Sequence, residues 1–282
     1  MRGILIVNKR QGWTSFDAVN FCKRVFGTRE VGHLGTLDPM ATGVLAVTVG
    51  SATKLFDMFL NKTKTYVAEF TFGYSTDTLD AEGEIESRCN IIPTLEQIEA
   101  VLPEFVGTIE QIPPKYSAKK IGGKKAYDLA RDGQDFELKP SKVNIHNLKI
   151  LGYNDGVLKL EIECGAGTYI RSLGRDIAIN LGTLATMTSL VRTELSGWKI
   201  EDCIDIKDNS NETIQSKLLS IDSVFSNLST LDNVDMIKRL LNGQTVVADI
   251  KDGEYRLYQD GQFVALATAK NKHIKMSKYF KI

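Results

Sequence analysis

The sequence predicts an α+β protein with one large mixed sheet and a small β-rich unit at its C-terminal end. Segments with the two-residue period of strands and segments with helical spacing alternate irregularly along the chain, and hairpins lie among the helices. No strand is followed by a Gly-x-Gly-x-x-Gly or phosphate-loop signature, which argues against a doubly wound nucleotide-binding sheet. The 282 residues are enough for one large domain and one small domain.

The N-terminal half opens with a predicted strand at Ile4 to Val7, followed by a helix from about Ser15 to Phe26. Thr14 or Ser15 is a suitable N-cap for that helix, because a hydroxyl oxygen can accept from the free amides of the first turn. Further along we predict a buried strand at 44–49 and a helix at 51–59. An alternating strand at 65–72 carries Tyr66, and an amphipathic helix follows at 94–105.

The C-terminal half continues with a predicted helix from Lys124 to Arg131, directly after two glycines. A hairpin then turns around Asn154-Asp155-Gly156, with predicted strands at 143–151 and 157–164. A predicted helix at 168–181 follows, and a strand at 184–192 returns to the sheet. From Ser229 onward, short strands at 254–258 and 262–267, joined by Asp260-Gly261, indicate a separate β-rich module. We therefore predict a catalytic domain at 1–228 and a small domain at 229–282.

One loop motif is unusually dense in residues that restrict the backbone. From Gly32 to Leu45 the sequence reads GHLGTLDPMATGVL, so that Asp38 lies between glycines and directly before Pro39. An isolated Asp-Pro is most often a turn whose carboxylate bonds local backbone. The length of this motif instead favours a carboxylate that the turn presents for chemistry.

Charge and composition narrow the function classes only slightly. Lys plus Arg equals Asp plus Glu, 35 each, so net charge gives no support for a nucleic-acid partner. The lysines themselves are unevenly distributed, and a group without any intervening acid is suited to phosphate contacts: Lys115, Lys119, Lys120, Lys124 and Lys125. The four cysteines and three histidines show neither Cys-x-x-Cys pairs nor metal-ligand spacing, so we expect no metal and no disulfide framework.

The N-terminal apolar run is too short for a signal-peptide core, and no stretch reads as a membrane span. We therefore expect a protein of the reducing cytoplasm without a membrane partner.

Further motifs follow the GHLGTLDPMATGVL loop in a fixed order: KTY at 64–66, TDTLDAEG at 76–83, IPPKYSA at 112–118, GTYIR at 167–171 and LVRT at 190–193. Together with the loop, this ordered set resembles the TruB-type tRNA pseudouridine synthases over about Lys9 to Arg192. The resemblance implies a mostly antiparallel sheet with a central cleft, the pseudouridine-synthase fold. It also implies that the short C-terminal domain is a reduced, PUA-like RNA-binding domain.

The resemblance also assigns roles to the motif residues. Asp38 is the implied catalytic carboxylate, acting as nucleophile or base, and Arg171 is its cationic partner, expected to lower the pKa of Asp38 and to fix its position. Tyr66 is the implied active-site tyrosine, which stacks on the target base and takes part in proton transfer.

Substrate-binding roles follow for a second set of residues. Tyr169 and Leu190 are expected to line the pocket, Asp80 to be a further acid of the cleft, and His33 to pack against RNA bases beside the target. The basic segment of Lys119, Lys120, Lys124 and Lys125 is expected to close over RNA phosphates. Without the resemblance, each of these residues would be interpreted as an ordinary core, loop or surface residue.

Three functions are compatible with these residues. The first is isomerisation of uridine 55 in the T loop of tRNA to pseudouridine, by a monomer that flips the base into a cleft and needs no cofactor or metal. The second is a nucleoside- or glycoside-cleaving hydrolase, for which two close carboxylates are needed, whereas Asp38 is the acid with motif support. The third is an RNA-binding or RNA-folding protein without turnover, which loss of Asp38 or Arg171 would favour.

Overall fold

The computed structural model describes residues 1–60 and 62–280. In chain order the strands of the described residues are β1 Gly3–Lys9, β2 Val31–His33, β3 Thr42–Val49, β4 Lys64–Phe72, β5 Tyr74–Thr76, β6 Ile85–Arg88, β7 Gly107–Gln111, β8 Lys120–Ile121, β9 Lys124–Lys125, β10 Ser141–Asn154, β11 Val157–Cys164, β12 Ala185–Leu195, β13 Trp198–Lys199, β14 Ser229–Thr230, β15 Val246–Val247, β16 Gly253–Gln259, β17 Gln262–Lys270 and β18 His273–Tyr279.

The helices lie between these strands rather than in one block. In chain order they are α1 Ser15–Phe26, α2 Phe56–Leu60, α3 Leu95–Val101, α4 Ala126–Arg131, α5 Ile170–Asn180, α6 Asn211–Ser216, α7 Ile221–Val224 and α8 Val234–Leu241. Short 3₁₀ segments occur at Gly50–Leu55, Leu102–Phe105 and Ile200–Asp202. Across the described ranges, no helix is long and apolar enough to cross a membrane.

The large sheet is mixed and mostly antiparallel, as predicted. Its strands run in the order β1-β3-β12-β4-β11-β10-β7, with β2 beside β3 and β13 beside β12. The pairing of β3 with β12 is parallel and short, since it joins Thr42 to Val191 and Gly43 to Arg192. We call this contact the central junction. It brings the end of the GHLGTLDPMATGVL loop next to the LVRT motif.

The sheet is buried on both faces near its first strands because apolar residues occupy both sides of β1 and β3. Leu5 and Val7 contribute to a core that α1 and α5 cover, while Ile4 and Ile6 contribute to a second core on the opposite side. Helix α1 begins as predicted, at Ser15, with Thr14 as N-cap in a capping box with Asp17.

The C-terminal strands form a separate five-stranded sheet in the order β14-β16-β17-β18-β15, so the predicted β-rich module is present. Helix α8 covers its own small core. Three residues of the module, Phe263, Leu266 and Phe280, pack in the second core together with Ile4 and Ile6 of β1. The module therefore shares a hydrophobic core with the large sheet.

Two predicted helices differ from the structure in form. The segment predicted as a helix at 51–59 starts as a 3₁₀ turn at Gly50–Leu55 and becomes α-helical only in α2. The segment predicted at 94–105 is α-helical only to Val101 and ends as a 3₁₀ turn that contains Pro103. Proline removes a backbone donor, which explains the change after the first part of that helix.

The predicted helix from Lys124 to Arg131 was wrong at its start. Lys124 and Lys125 form β9, which pairs with β8 in a two-stranded hairpin, and the helix begins only at Ala126. Gly122 and Gly123 have φ of 56° and 89°, the left-handed angles that a tight hairpin turn requires. The glycine pair is therefore a hairpin turn and not the start of a helix.

Candidate active site

The GHLGTLDPMATGVL loop connects β2 to β3 and presents Asp38. Gly35 and Gly43 have φ of 108° and 100°, angles that side chains disfavour. At Gly43 a Cβ atom would also lie 2.2 Å from the carbonyl oxygen of Arg192, so the central junction requires glycine there. Ser15 of α1 holds the loop from outside, because its hydroxyl accepts from Leu37 N at 2.8 Å and lies 3.1 Å from Leu37 O. The Asp38 backbone is thus fixed by the fold around it.

Arg171, near the start of α5, binds the carboxylates of two separate motifs. Its Nε lies 3.0 Å from Oδ2 of Asp38, and its Nη1 lies 3.3 Å from Oδ2 of Asp80. The same guanidinium donates to the carbonyl oxygens of Thr78 at 2.9 Å and Tyr116 at 3.0 Å. Only 7% of the Arg171 side chain is exposed. All three of its nitrogens are therefore engaged, and its orientation is fixed.

Asp38 is the more accessible of the two acids. Its side chain is 34% exposed, against 6% for Asp80. Burial raises the pKa of Asp38, the charge of Arg171 opposes this rise, and the nearby charge of Asp80 adds to it. The expected lowering effect of Arg171 is present, but the cost of burying the carboxylate exceeds it, so the pKa of Asp38 is raised overall.

Asp80 is held by its own turn as well as by Arg171. Its Oδ1 accepts from the Thr78 hydroxyl at 2.6 Å and from Glu82 N at 3.1 Å. Leu79 adopts a left-handed backbone with φ of 63° in the same turn. This arrangement leaves Asp80 buried and hydrogen-bonded, and suits it to orient Arg171.

Tyr66 lies in β4 with its side chain buried in the main core. Its cross-strand neighbours are Ile162 of β11 and Arg192 of β12. Burial raises the pKa of the Tyr66 hydroxyl, and the charge of Arg192 opposes this rise. The negative charge of Asp38 adds to the rise.

Tyr169 and Leu190 approach the site from two other elements. Tyr169 directly precedes α5, and its backbone N donates to Oε1 of Gln111 at 2.8 Å. Burial raises the pKa of the Tyr169 hydroxyl, and the charge of Arg171 opposes this rise. Leu190 is buried in β12 opposite Ala68 of β4. The two side chains supply an aromatic and an apolar surface beside Arg171 and Tyr66 respectively.

His33 ends β2, and its side chain is half-buried before the loop begins. Burial, together with the charge of Arg192, lowers its pKa and favours a neutral ring. Its buried Nδ1 has no hydrogen-bond partner within the described part of the chain. The structure does not bring His33 into contact with Asp38.

The four lysines of the basic segment lie outside the group formed by Asp38, Arg171 and Asp80. Lys119, Lys120, Lys124 and Lys125 are all exposed, in and just before the β8–β9 hairpin. This hairpin follows Tyr116, whose carbonyl oxygen binds Arg171. A short stretch of chain therefore connects the basic segment to the group formed by Asp38, Arg171 and Asp80.

Two buried cations of the site were missed by sequence reasoning. Lys9 is 1% exposed, and its Nζ donates to the carbonyl oxygens of Arg10, Trp13 and Pro39 at 2.9, 2.5 and 3.1 Å. Burial lowers the pKa of Lys9 to about 8, although the charges of Asp38 and Glu82 oppose this. Its only sequence signal was its place at the end of an apolar strand. Arg192 occurs in the LVRT motif, but no role was assigned to it.

Within the described residues, no group of three or more His, Cys, Asp or Glu side chains could hold a metal ion. That the reaction needs no metal or cofactor stays a prediction.

The fold and the site define an α+β protein with a large mixed sheet and a carboxylate–guanidinium pair, and comparison with known proteins gives the family. Residues 23–170 match the family described as TruB family pseudouridylate synthase, N-terminal domain. The chain belongs to this family.

Curated relatives extend the similarity to nearly the whole chain. The tRNA pseudouridine synthase B of Francisella philomiragia is 40% identical over 99% of this chain and 95% of its own length. The proteins of the same name from Caldanaerobacter subterraneus and Borreliella afzelii are 40% and 39% identical, and the matches cover 98–99% of both chains.

Solved structures support the fold alone, because their identities are low. This chain matches Cbf5 in a Cbf5–Nop10–Gar1 complex with a TM-score of 0.72 and 23% identity, over 99% of this chain and 85% of that one. A chain of an H/ACA RNP bound to a substrate RNA containing 2′-deoxyuridine gives the same TM-score with 21% identity and the same coverage. The predicted pseudouridine-synthase fold is therefore confirmed.

Proposed function

We propose that this protein isomerises uridine 55 in the T loop of tRNA to pseudouridine. The observation that carries the proposal is the partly exposed Asp38, ion-paired at 3.0 Å with the buried Arg171 and located within the matched family domain. Relatives named tRNA pseudouridine synthase B, similar over almost their full length, supply the substrate.

The reaction breaks the bond from N1 of uracil to C1′ of ribose and forms a bond from C5 to the same carbon. C5 loses a proton and N1 gains one, so the product has the same atoms and oxidation level as the substrate. No external electron or group donor is needed, which agrees with a site that works without a cofactor.

Asp38 is the proposed catalytic carboxylate. It can attack the ribose, attack the uracil ring, or assist departure of the base and accept a proton later, and each route needs the ionised form. Arg171 opposes the effect of burial on the pKa of Asp38 and holds the carboxylate in one orientation. Asp80 holds the other side of the guanidinium and acts as a positioning residue.

The target base must leave the RNA stack before Asp38 can reach its ribose. Tyr66, Tyr169 and Leu190 are the proposed lining for that base, since aromatic and apolar side chains stack on nucleobases. His33, with a neutral ring favoured by burial, is the proposed contact for a neighbouring base.

The exposed lysines of the β8–β9 hairpin are the proposed phosphate contacts around the flipped nucleotide. We further propose that residues 229–282 form a reduced PUA-like RNA-binding domain, that 1–228 form the catalytic domain, and that the protein acts as a cytoplasmic monomer without a metal.

The test is incubation of the purified protein with an unmodified tRNA transcript, followed by chemical mapping of pseudouridine. We expect pseudouridine at position 55 and none in a transcript with cytidine at that position. RNA binding without product would support the RNA-binding alternative. Release of free uracil with an abasic ribose would support the hydrolase.

A further inference from the structure

Arg192 lies at the central junction, where three strands that carry site residues meet. It pairs in parallel with Gly43 of β3 and in antiparallel with Tyr66 of β4. Although it is a long charged side chain, only 1% of Arg192 is exposed. Arg192 is therefore a buried cation between the strand that follows the Asp38 loop and the strand that carries Tyr66.

The guanidinium of Arg192 binds both ends of the loop that carries Asp38. Its Nη2 donates to the carbonyl oxygen of Gly35 at 3.2 Å, and its Nε donates to that of Val44 at 2.7 Å. Gly35 lies three residues before Asp38, and Val44 lies six residues after it. The two hydrogen bonds therefore fix the loop at its entry and its exit.

Tyr66 lies directly beside Arg192, because the two residues are cross-strand partners of β4 and β12. Cross-strand partners in an antiparallel pair project from the same face of the sheet, which brings the two side chains together. The positive charge of Arg192 opposes the rise that burial causes in the pKa of the Tyr66 hydroxyl. Arg192 thus connects the residue proposed to stack on the base with the loop that holds the proposed nucleophile.

Stability alone gives a poor explanation for this cation. Among the described residues, Arg192 forms no ion pair with a carboxylate, and its Nε and Nη2 both donate to neutral carbonyl groups. Burying a charge without an opposite charge is costly, and apolar residues of similar size often serve a core equally well.

We infer that Arg192 is a positioning residue that fixes the Tyr66 side chain relative to the Asp38 loop. This inference rests on the proposed function. Its role differs from that of Arg171, which binds the Asp38 carboxylate directly, because Arg192 acts through the loop backbone and through Tyr66.

The first test is Arg192→Lys, which keeps the charge and loses the planar set of donors. We expect single-turnover formation of pseudouridine to slow at least tenfold with enzyme in excess, while the Kd for tRNA changes less than threefold. Arg2→Lys is the matched control, because Arg2 is a partly buried arginine whose guanidinium also donates to two backbone carbonyl oxygens, those of Phe280 and Phe263. It should keep at least half of the wild-type rate.

The second test places Arg192→Lys in a Tyr66→Phe background. If Arg192 acts partly through the Tyr66 hydroxyl, the rate loss caused by Arg192→Lys should be at least fivefold smaller there than with Tyr66 present. Equal losses in the two backgrounds, or a rate for Arg192→Lys within twofold of wild type, would overturn the inference.

Arg192→Gln serves for the same comparison if the lysine variant does not fold, since its amide can still donate to one carbonyl oxygen. Wild type and Arg2→Lys are assayed in parallel. Absence of pseudouridine with both would count against the proposed function, whereas normal product with these two and with Arg192→Lys would count against the positioning role alone.

Discussion

Asp38 is held where its charged form is disfavoured, and this has a consequence for the pH dependence of the reaction. Burial raises the pKa of Asp38, and the negative charge of Asp80 adds to the rise. Because every proposed route needs ionised Asp38, the rate should fall as the pH decreases through this raised pKa. The decrease should therefore begin above the range expected for an ordinary aspartate, whose pKa is about 3.9.

Asp80→Asn tests this origin of the pKa. Removal of the neighbouring negative charge should lower the pKa of Asp38 and move the acidic limb of the rate profile to lower pH. The measurement is single-turnover product formation across a pH series, with the tRNA checked for integrity at each pH. A limb that stays in place or moves to higher pH would contradict the proposed electrostatics.

A second consequence concerns stability. A carboxylate whose folded pKa lies above its unfolded pKa favours folding most below the unfolded value, and this contribution is lost as the pH rises through the folded pKa. Asp38→Asn does not titrate. The free energy of unfolding of this variant, relative to wild type, should therefore rise with pH from about pH 4, the unfolded value, and level off above the raised folded pKa.

Denaturant unfolding at several pH values measures this difference. If Asp38 only formed the turn, its replacement should instead lower the free energy of unfolding by ~1 kcal/mol at neutral pH. A destabilised Asp38→Asn variant at pH 7 would therefore indicate that Asp38 supports the turn and is not held there for chemistry.

The β8–β9 hairpin is the element on which the proposed RNA contact depends. Alanine at the four exposed lysines Lys119, Lys120, Lys124 and Lys125 should weaken tRNA binding. Each lost phosphate contact should reduce the slope of log K against log salt by somewhat under ~1. The control is a variant with alanine at four exposed lysines elsewhere in residues 1–228, Lys142, Lys149, Lys207 and Lys217. An equal change in both variants would indicate a general charge effect without a specific contact.

Elements with strong local signals could be predicted from the sequence. Helix α1 begins at the predicted residue because Thr14 and Asp17 form a capping box. The hairpin of β10 and β11 turns at Asp155 and Gly156, which both have positive φ, as the Asn-Asp-Gly signal indicated. The strand pair β8–β9 was missed because a glycine pair is compatible with either a helix start or a turn.

The site could be predicted only where a motif contained its residues. Asp38, Asp80 and Arg171 were selected in this way, and the structure brings their side chains together. Lys9 was missed because its burial depends on the carbonyl oxygen of Pro39, which is 30 residues away. Arg192 depends on Val44, 148 residues away, and no local pattern signals such a contact.

The whole molecule is held together by a core that both sheets share. Phe280 is fully buried beside Phe263, with their ring centroids 5.6 Å apart, in the core that contains Ile4 and Ile6 of β1. Arg2 strengthens this contact by donating to the carbonyl oxygens of Phe280 and Phe263. The C-terminal module therefore contributes to the stability of the large sheet in addition to any role in RNA binding.

Phe280→Ala should destabilise the protein by about 3–5 kcal/mol and should lower the stability of both sheets together. Val247→Ala, at a residue of the same module that is 67% exposed, should cost about 0.5 kcal/mol or less. Denaturant unfolding followed by fluorescence of Trp198 and Trp13, and by circular dichroism, measures both. Two separate transitions in wild type, with only one affected by Phe280→Ala, would show that the module folds independently.

The central claim is that Asp38 acts as the catalytic carboxylate of a uridine isomerase. The most direct measurement is single-turnover formation of pseudouridine on unmodified tRNA by Asp38→Asn, with enzyme in excess. Asparagine keeps the size of the side chain, so this variant should fold and bind tRNA with near-normal affinity. It should form no detectable product, because an amide can neither attack carbon nor accept the proton. A rate of one tenth of wild type or more, a barrier change of only ~1.4 kcal/mol, would contradict the claim.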